Sequence, residues 1–227
     1  MQLKLISDFS DYYDHGFDFD GYPFRRVTTD GPNRVEMISM FRHAGVPTPY
    51  FGHYKDFVRT NYSEDKDVVI YTDITKHCGE GKKKKRFGNI CCAEREAYMM
   101  EYVPFGDLNI SEYFSKSTRY LIIGDRCFTY DYFSIDDWRS NCGDGDISEP
   151  KEIDLPLWRY CIYYPLFAID FVDDRGILRA IDLNIAPGTS GVGLNKLIPP
   201  SQVVLCIKKW FIDVNNTFDY FSKCSNG

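Results

Sequence analysis

Three oxygen-bearing side chains in the C-terminal half have the types and the spacing of a metal site. Asp170 follows the apolar segment 167–169, and Asp182 and Asn184 stand two apart in the apolar segment 180–186. Residues two apart on a strand share a face, so Asp182 and Asn184 project together, and Asp170 can reach them from the neighbouring strand of a hairpin. Two carboxylates and an amide oxygen suit magnesium, which leaves its remaining positions to water and phosphate.

The alternative is that these three residues are polar positions of an edge strand that face water. Their neighbours are apolar, however, and an unpaired carboxylate in apolar surroundings is costly. The segment 187–191, Pro-Gly-Thr-Ser-Gly, then supplies a flexible backbone that can approach a phosphate closely. We therefore predict a magnesium site, with Asp170, Asp182 and Asn184 as its ligands.

A basic run within a glycine-containing segment is a second candidate. The segment 75–88 holds three glycines and the run Lys82–Arg86, and we predict that it is a loop. Its functional interpretation is a mobile lid that closes over a triphosphate. The alternatives are a solvated loop and a nuclear-import or nucleic-acid patch. The candidate nucleotide-binding residues of this segment are Lys76, Gly79, Gly81 and Lys82.

A polar loop over 136–152 contributes a third candidate, Arg139. In one interpretation it pairs with Asp136 or Asp137 on the surface, which adds little stability. In the other it lies beside the metal carboxylates, where a fixed cation would offset charge on a transferred phosphoryl group. The adjacent thiols Cys91 and Cys92 have no histidine placed to activate them, so we predict that they are buried and unreactive.

Hydrophobic periodicity and turn residues predict the elements that position these groups. The tight turn of the first predicted hairpin is Gly124-Asp125, and residues 173–176 form the turn of the second. The predicted elements are a helix over 34–44, strands over 68–71 and 97–103, hairpins over 120–130 and 166–183, and helices over 156–164 and 200–221.

Composition limits the function classes. The chain has 227 residues, 44% of them hydrophobic and 16% aromatic, with a formal charge of -6. This charge argues against a general nucleic-acid surface. The N-terminus becomes acidic before any signal-peptide core, and no apolar stretch approaches the roughly 18 residues of a membrane span. We expect a soluble cytoplasmic protein whose eight cysteines are free thiols.

Five segments, taken in order, resemble the ATP-grasp superfamily, and most closely its ribosomal-protein S6 glutamate ligase-like branch. The acidic-x-Asn-Ile-Ala-Pro-Gly order at 182–188 is similar to the metal-binding end of those enzymes, which usually carry Glu at the position of Asp182. The Arg-Ser-Asn sequence at 139–141 resembles a segment near the reacting groups in that branch. The five matching segments are 41–49, 99–104, the hairpin around 124–125, 137–143 and 170–188.

The resemblance implies an α+β fold of two lobes, each an antiparallel sheet backed by helices, with the nucleotide between them. Residues 1–33 would be a short N-terminal extension. Residues 34–104 would form the first lobe, with the phosphate loop, and 105–227 the second lobe, with the metal site and the C-terminal helix.

The resemblance also implies an ATP- and magnesium-dependent carboxylate–amine ligase that acts through an acyl phosphate. Arg139, Asn141 and Lys76 would be catalytic. The expected partners are ATP and a small-molecule or peptide carboxylate and amine. General nucleic-acid binding and membrane binding are not expected, and the sequence leaves a homodimer open. The residues that would receive adenine, largely through backbone groups, are Glu101, Tyr102 and Val103.

Two departures from the family pattern bear on catalysis. ATP-grasp enzymes usually carry Lys in the strand predicted at 68–71, where this chain has Tyr71; Lys76 or a lysine of the basic run would have to supply the charge. About 33 residues precede the first matching helix, so we expect the family's N-terminal substrate domain to be nearly absent. The sequence is therefore compatible with a minimal ligase, or with a catalytically inactive relative that serves as a nucleotide-binding or protein-interaction module.

Overall fold

Two antiparallel sheets with few helices form the described part of this computed structural model, which confirms the predicted α+β class. The residues described are 32–76, 80–105, 113–162, 164–185, 187, 192–199, 201–203, 205–207, 209–210 and 213. Most of the predicted N-terminal extension, the predicted nucleotide-binding residue Gly79 and most of the segment 187–191 lie outside them.

The first sheet has four strands in the order β1-β4-β2-β3. One face packs in a cluster that includes Phe57 and Phe87, and the other faces the first helix. That helix begins where Asn33 and Glu36 form a capping box, which satisfies N–H groups at its start. The elements are α1 (Arg34–His43), β1 (Phe51–His53), α2 (Tyr54–Arg59), β2 (Asp67–Tyr71), β3 (Lys82–Arg86) and β4 (Tyr98–Glu101).

The basic run is a strand, so the prediction of a loop over 75–88 was wrong for residues 82–86. β3 pairs with β2 along its whole length, with Lys82 opposite Tyr71. Lys83 and Lys85 point to one face, where both form ion pairs with Glu94. An edge strand tolerates lysines because its side chains reach solvent, and Glu94 offsets two of these charges. Residues 80–81 and 72–76 remain as the described parts of the connection between β2 and β3.

The second sheet has six strands in the order β10-β9-β5-β6-β7, with β8 also paired to β6. Both predicted hairpins are confirmed, and their strands are longer than predicted. Gly124 closes the first hairpin with φ of +60°, and a Cβ there would lie 2.6 Å from the Cys206 carbonyl oxygen, so only glycine fits. The strands are β5 (Ser115–Ile123), β6 (Arg126–Ser134), β7 (Gly145–Ile147), β8 (Lys151–Ile153), β9 (Leu166–Asp174) and β10 (Ile177–Asn184).

A β-bulge interrupts the pairing of β9 with β10. Ala180 lies opposite Phe171, and Asp182 lies opposite Asp170, so Ile181 is the extra residue. A bulge of this kind places two residues of one strand against one residue of the other.

Each face of the second sheet is covered differently. One face shares a core with α1 and with Val69, Tyr71 and Met100 of the first sheet. The apolar half of the other face is covered by the C-terminal segment, including Val203 and Ile207. The predicted final helix is helical at 201–203, 205–207, 209–210 and 213, the described part of 200–221.

In the described residues of 156–164, the segment predicted as a helix, the structure has a 3₁₀ helix, Leu157–Cys161, which starts after Pro156. Cys91 and Cys92 are exposed, so the prediction that they are buried was wrong; they flank and begin a short surface 3₁₀ turn. The six cysteines within the described residues are free thiols. No described helix is long and apolar enough to cross a membrane.

The chain passes from the first sheet to the second between Glu101 and Ser115. The predicted boundary at 104/105 falls in this connection and stays a prediction, as do the lobe limits on either side of it.

Candidate functional site

The two predicted metal carboxylates meet on one face of the second sheet. Asp170 of β9 and Asp182 of β10 are direct cross-strand partners, and Asn184 follows two residues later, opposite Ala168. Direct partners in an antiparallel pair project to the same side. The three predicted ligands therefore share a face near one end of the β9–β10 ladder, as the sequence spacing suggested.

Asp170 is held by an arginine from the adjacent strand. Arg119 of β5 donates from Nε to Asp170 Oδ1 (2.6 Å) and from Nη2 to Asp170 Oδ2 (2.8 Å), and its Nη1 donates to the Tyr132 hydroxyl (3.0 Å). Both partners are buried. Burial disfavours the charged guanidinium, but Asp170, together with Tyr132 and Tyr130, outweighs this effect, so the pKa of Arg119 lies above its ordinary value. Both oxygens of Asp170 are engaged by this fork.

Asp182 is held by an arginine from the first helix. Arg34, the first residue of α1, donates from Nη1 to Asp182 Oδ1, and its Nη2 donates to the Lys76 carbonyl oxygen at 3.4 Å. The Arg34 guanidinium also lies over the Tyr71 ring, 5.5 Å from its centroid. Burial lowers the pKa of Arg34, but Asp182, together with Tyr71 and Asp170, outweighs this effect and the pKa is raised overall. Arg34 is 1% exposed, whereas Asp182 is 20% exposed.

Lys82 is the basic-run residue that lines the same cavity as these carboxylates. Alternation along β3 turns Lys82 and Lys84 away from Glu94, toward the cleft, and Lys82 Nζ lies 5.9 Å from the centroid of the Trp138 ring. Burial lowers the pKa of Lys82, an effect partly offset by Asp182. Lys76, in contrast, has an exposed side chain, and its carbonyl accepts from Arg34. Lys82 is therefore better placed than Lys76 to be the cation of the site.

Gly81 precedes Lys82 and fixes where β3 starts. Its carbonyl accepts from the Thr72 N–H (2.8 Å) and the Asp73 N–H (3.2 Å). With φ of +64°, a Cβ at this position would lie 2.9 Å from the Asp73 carbonyl oxygen. The glycine thus allows the close approach of 72–73 that sets the register of Lys82 opposite Tyr71.

The 137–141 segment packs against the same polar corner. Arg139 forms a fork with Asp137, from Nε to Oδ1 (2.9 Å) and from Nη2 to Oδ2 (2.7 Å). This contact lowers the pKa of Asp137. The hydroxyls of Ser140 and Ser117 form a hydrogen bond, and Ser115 Oγ donates to the Asp137 carbonyl at 2.6 Å. The surface pairing considered for Arg139 is thus present, yet the segment also lines the cavity beside the carboxylates.

Residues 101–103 form the connection that leaves β4. The Glu101 N–H donates to the Tyr50 carbonyl (2.8 Å), and the Tyr102 N–H donates to the Asp67 carbonyl (3.1 Å). Lys84 Nζ lies 4.3 Å from the Tyr102 ring centroid, and the Tyr102 ring meets that of Trp138 edge-on with centroids 6.1 Å apart. Tyr102 therefore links β3, the connection and the 137–141 segment.

Two adjoining cavities lie between the sheets. The smaller, about 70 Å³, is bounded by the two carboxylates, Lys82 and residues 138–141. The larger, about 760 Å³, extends past residues 101–105 to the β9–β10 turn. Together they form one cleft, since both are lined by Tyr102, Val103, Phe105, Lys116 and Ser117.

The predicted ligands offer carboxylate and amide oxygens, which suit a hard divalent cation. Both carboxylates, however, already have arginine partners. Within the described ranges, no group of three or more His, Cys, Asp or Glu side chains is arranged to hold a metal. A third protein ligand would therefore be a residue of another type, and Asn184 is the one that the sequence predicted. Asp182, partly exposed and lining the small cavity, is the more accessible carboxylate.

Sequence reasoning missed Arg34 and Arg119. Arg34 stands at a helix start, where a basic residue gives no sign of burial. Arg119 did leave a signal, because Ser115, Ser117 and Arg119 occupy the same alternate positions of β5 as the core residues Leu121 and Ile123. A charge on the buried face of a strand indicates a buried partner.

Comparison with known proteins bears on the fold. No protein-family model matches the chain, and no curated protein sequence matches it either. Among solved structures, the D-alanine–D-alanine ligase of Bacillus anthracis is similar with a TM-score of 0.50 and 12% identity, over 82% of this chain and 68% of that one.

Two further structures are similar at lower scores. The ATP-grasp ligase PsnB, complexed with minimal precursor, has a TM-score of 0.48 and 13% identity, over 77% of this chain and 60% of that one. A RimK domain ATP-grasp protein of Sphaerobacter thermophilus has a TM-score of 0.45 and 14% identity, over 78% of this chain and 66% of that one. With the two sheets described above and the similarity to the D-alanine–D-alanine ligase, the chain has the ATP-grasp fold.

Proposed function

We propose that this chain binds ATP in the cleft between its two sheets and uses it to activate a carboxylate for amide formation. One observation carries the proposal. Asp170 and Asp182 lie side by side on the second sheet, and Lys82 of the first sheet lines the same cavity. Paired carboxylates facing a cation across a cleft are suited to holding a polyphosphate and its counter-ion.

In the proposed reaction, an oxygen of the substrate carboxylate attacks the γ-phosphorus of ATP. The bond from that phosphorus to the bridging oxygen breaks, giving an acyl phosphate and ADP. An amine then attacks the acyl carbon and releases phosphate, leaving an amide. Lys82 would balance negative charge on the phosphoryl oxygens, and Arg139 and Asn141 would contact the reacting groups from the 137–141 segment.

A magnesium ion held by Asp170, Asp182 and Asn184 would neutralise charge on the phosphate oxygens. Asp170 would keep its fork to Arg119 and serve as the fixed carboxylate, because both of its oxygens are already ordered. Asp182 is the more exposed carboxylate and would be the one that changes partner.

The base of ATP would lie against residues 101–103. The N–H groups of Glu101 and Tyr102 are already used, which leaves their carbonyls and the Val103 backbone to recognise an adenine edge. The large cavity, about 760 Å³, has room for a nucleoside.

The substrates are proposed only as a carboxylate and an amine. The chain covers 68% of the Bacillus anthracis ligase and 60% of PsnB, so parts of those proteins have no counterpart in it. A ligase named for joining D-alanine to D-alanine supports an amino-acid or peptide acid as the first class to test.

A second function has an observation in its favour. Both carboxylates are paired with arginines, and Tyr71 stands where the family resemblance leads one to expect lysine. A protein that binds the nucleotide without turnover would account for both features.

The deciding experiment measures melting temperature and ADP release with ATP, magnesium and a panel of amino acids and short peptides. Nucleotide at a hundredfold excess over its Kd should add about 2.7 kcal/mol of stability. ADP release that depends on an acid and an amine supports the ligase, and a melting shift without release supports the binder. No shift with any nucleotide would exclude both.

The matched variants are Asp182→Asn and Glu149→Gln. The first removes a charge from the cleft, and the second removes one from an exposed pair with Lys196. ADP release should disappear in Asp182→Asn and be unchanged in Glu149→Gln. Equal loss in both would show that the assay reports general damage rather than the site.

A further inference from the structure

Arg34 makes a contact that the proposed ligase chemistry does not require. It reaches from the start of α1 to Asp182, a carboxylate that we propose binds the metal. Its other polar contacts are weak: Nη2 lies 3.4 Å from the Lys76 carbonyl, and Nη1 lies 3.6 Å from Met37 Sδ. Arg34 Nε is buried and has no hydrogen-bond partner in the described part of the chain. The Arg34 guanidinium thus forms one strong ion pair, with Asp182, and its remaining donors form weak hydrogen bonds or none in the described part of the chain.

A divalent cation and Arg34 would compete for Asp182. Arg34 is almost fully buried, and Lys82 lines the same cavity, so a metal ion entering alone would meet two fixed positive charges. Repulsion between such charges is strong where water is largely excluded. The site should therefore bind a divalent cation poorly while Arg34 holds Asp182.

A polyphosphate changes this balance. The planar guanidinium presents donors in a fork that matches phosphate oxygens, and it has a donor to spare in Nε. Phosphate oxygens beside Asp182 would attract Arg34 and at the same time add ligands for a cation. Nucleotide without metal would leave Asp182 beside phosphate charge, which is also unfavourable.

We propose that Arg34 is a positioning residue that couples the metal to the nucleotide: it holds Asp182 in the nucleotide-free protein and moves to the polyphosphate when the metal and nucleotide enter together. This inference rests on the proposed function for the identity of the ligands. The inference can fail while the proposed function holds, because a site with two freely available carboxylates would bind the metal before the nucleotide and without it.

The test measures Mn²⁺ binding to the full chain from the loss of the free Mn²⁺ signal in electron paramagnetic resonance. Titrations are run without nucleotide and with saturating ADP, with an ADP-only titration subtracted. We expect wild-type affinity for Mn²⁺ to be at least tenfold weaker without ADP. A ratio below threefold would overturn the inference, and failure of ADP itself to bind would count against the proposed function.

The variant Arg34→Gln should raise Mn²⁺ affinity in the absence of ADP and bring the ratio below threefold. Arg179→Gln is the matched control, since Arg179 also ties β10 to the segment after α1, through the Thr48 carbonyl, but pairs with Asp174. It should keep the wild-type ratio. If Arg34→Gln does not fold, Arg34→Lys should reduce the ratio; a wild-type ratio in either folded Arg34 variant would overturn the inference.

Discussion

One face of the second sheet is divided into two halves that differ in almost everything except their backbone. In one half, Leu121, Phe128 and Ala168 lie side by side on three strands and are covered by the C-terminal segment. Two residues further along β5 and β9, at the next pair on this face, Arg119 and Asp170 replace this apolar packing, and the face turns toward the cleft. The pairing of β5 with β6 and with β9 runs through both halves without interruption.

The difference shows how a polar site is kept inside a buried sheet. The apolar half stabilises the fold by burial, about 25 cal/mol per Å² of apolar surface. The polar half contributes little net stability. Its charges lose the free energy of hydration when they are buried, and only their contacts with one another offset this loss. Each carboxylate there has an arginine, and the two arginines come from different elements, β5 and α1.

The largest effect is expected for Asp170→Asn. It leaves the buried Arg119 without its counter-ion, which should lower the free energy of unfolding by about 3–5 kcal/mol. The double variant Arg119→Met/Asp170→Leu should recover most of this stability in urea denaturation while nucleotide binding is lost. A double variant as unstable as Asp170→Asn would show that the pair, and not the unpaired charge, stabilises this half.

The opposite wall of the cleft is tested by neighbouring lysines of β3. Lys82→Ala should reduce ADP release by about 100- to 1,000-fold, the usual cost of removing one group that stabilises developing charge. Lys83→Ala, on the other face of the strand beside Glu94, should leave ADP release unchanged. Similar losses in the two variants would contradict the assignment of Lys82 to the cleft.

Leu121→Ala tests the apolar half alone. Leu121 is fully buried, so the substitution should cost about 2–5 kcal/mol of unfolding free energy. Nucleotide affinity, measured well below the reduced melting temperature, should stay within about threefold of wild type, or roughly 0.7 kcal/mol. A large loss of affinity in a folded variant would mean that the two halves are not separable.

The smallest effect concerns pH and the Asp137–Arg139 pair at the rim of the cleft. The pKa of Asp137 is lowered by Arg139, so the pair stabilises the fold above the ordinary Asp pKa of about 3.9 and loses this contribution as pH falls below it. Asp137→Asn should cost about 1 kcal/mol or less at pH 7. The gap between the two proteins should close toward pH 3, and a gap that is constant from pH 7 to pH 3 would contradict this sign.

Much of this arrangement follows from short-range sequence rules. Alternation places Asp182 and Asn184 on one face, and the apolar runs beside Gly124 and residues 173–176 predict both hairpins. The segment 34–44 has the periodicity of a helix, and the structure has α1 there. These features depend on residues close in sequence, which local propensity and pattern can reach.

The features that were missed depend on distant partners. The sequence of β3 predicts a loop because five consecutive cations show no apolar alternation. The contacts that stabilise it as a strand, with β2 and Glu94, are formed only in the folded chain. Arg34 and Asp182 are 148 residues apart in the chain. The register of β3 on β2, with Lys82 opposite Tyr71, determines which lysine faces the cleft. This register cannot be deduced from the sequence.

The bulge at Ile181 makes the direction of Asp182 depend on a residue count rather than on residue identity. With the β9–β10 turn fixed, loss of one residue between Ile177 and Ile181 would remove the bulge and still leave the carboxylate opposite Asp170. Gain of one residue would either enlarge the bulge or shift the pairing by one, and such a shift turns a side chain to the opposite face. Over evolutionary time this hairpin should therefore accept deletions here far more readily than insertions.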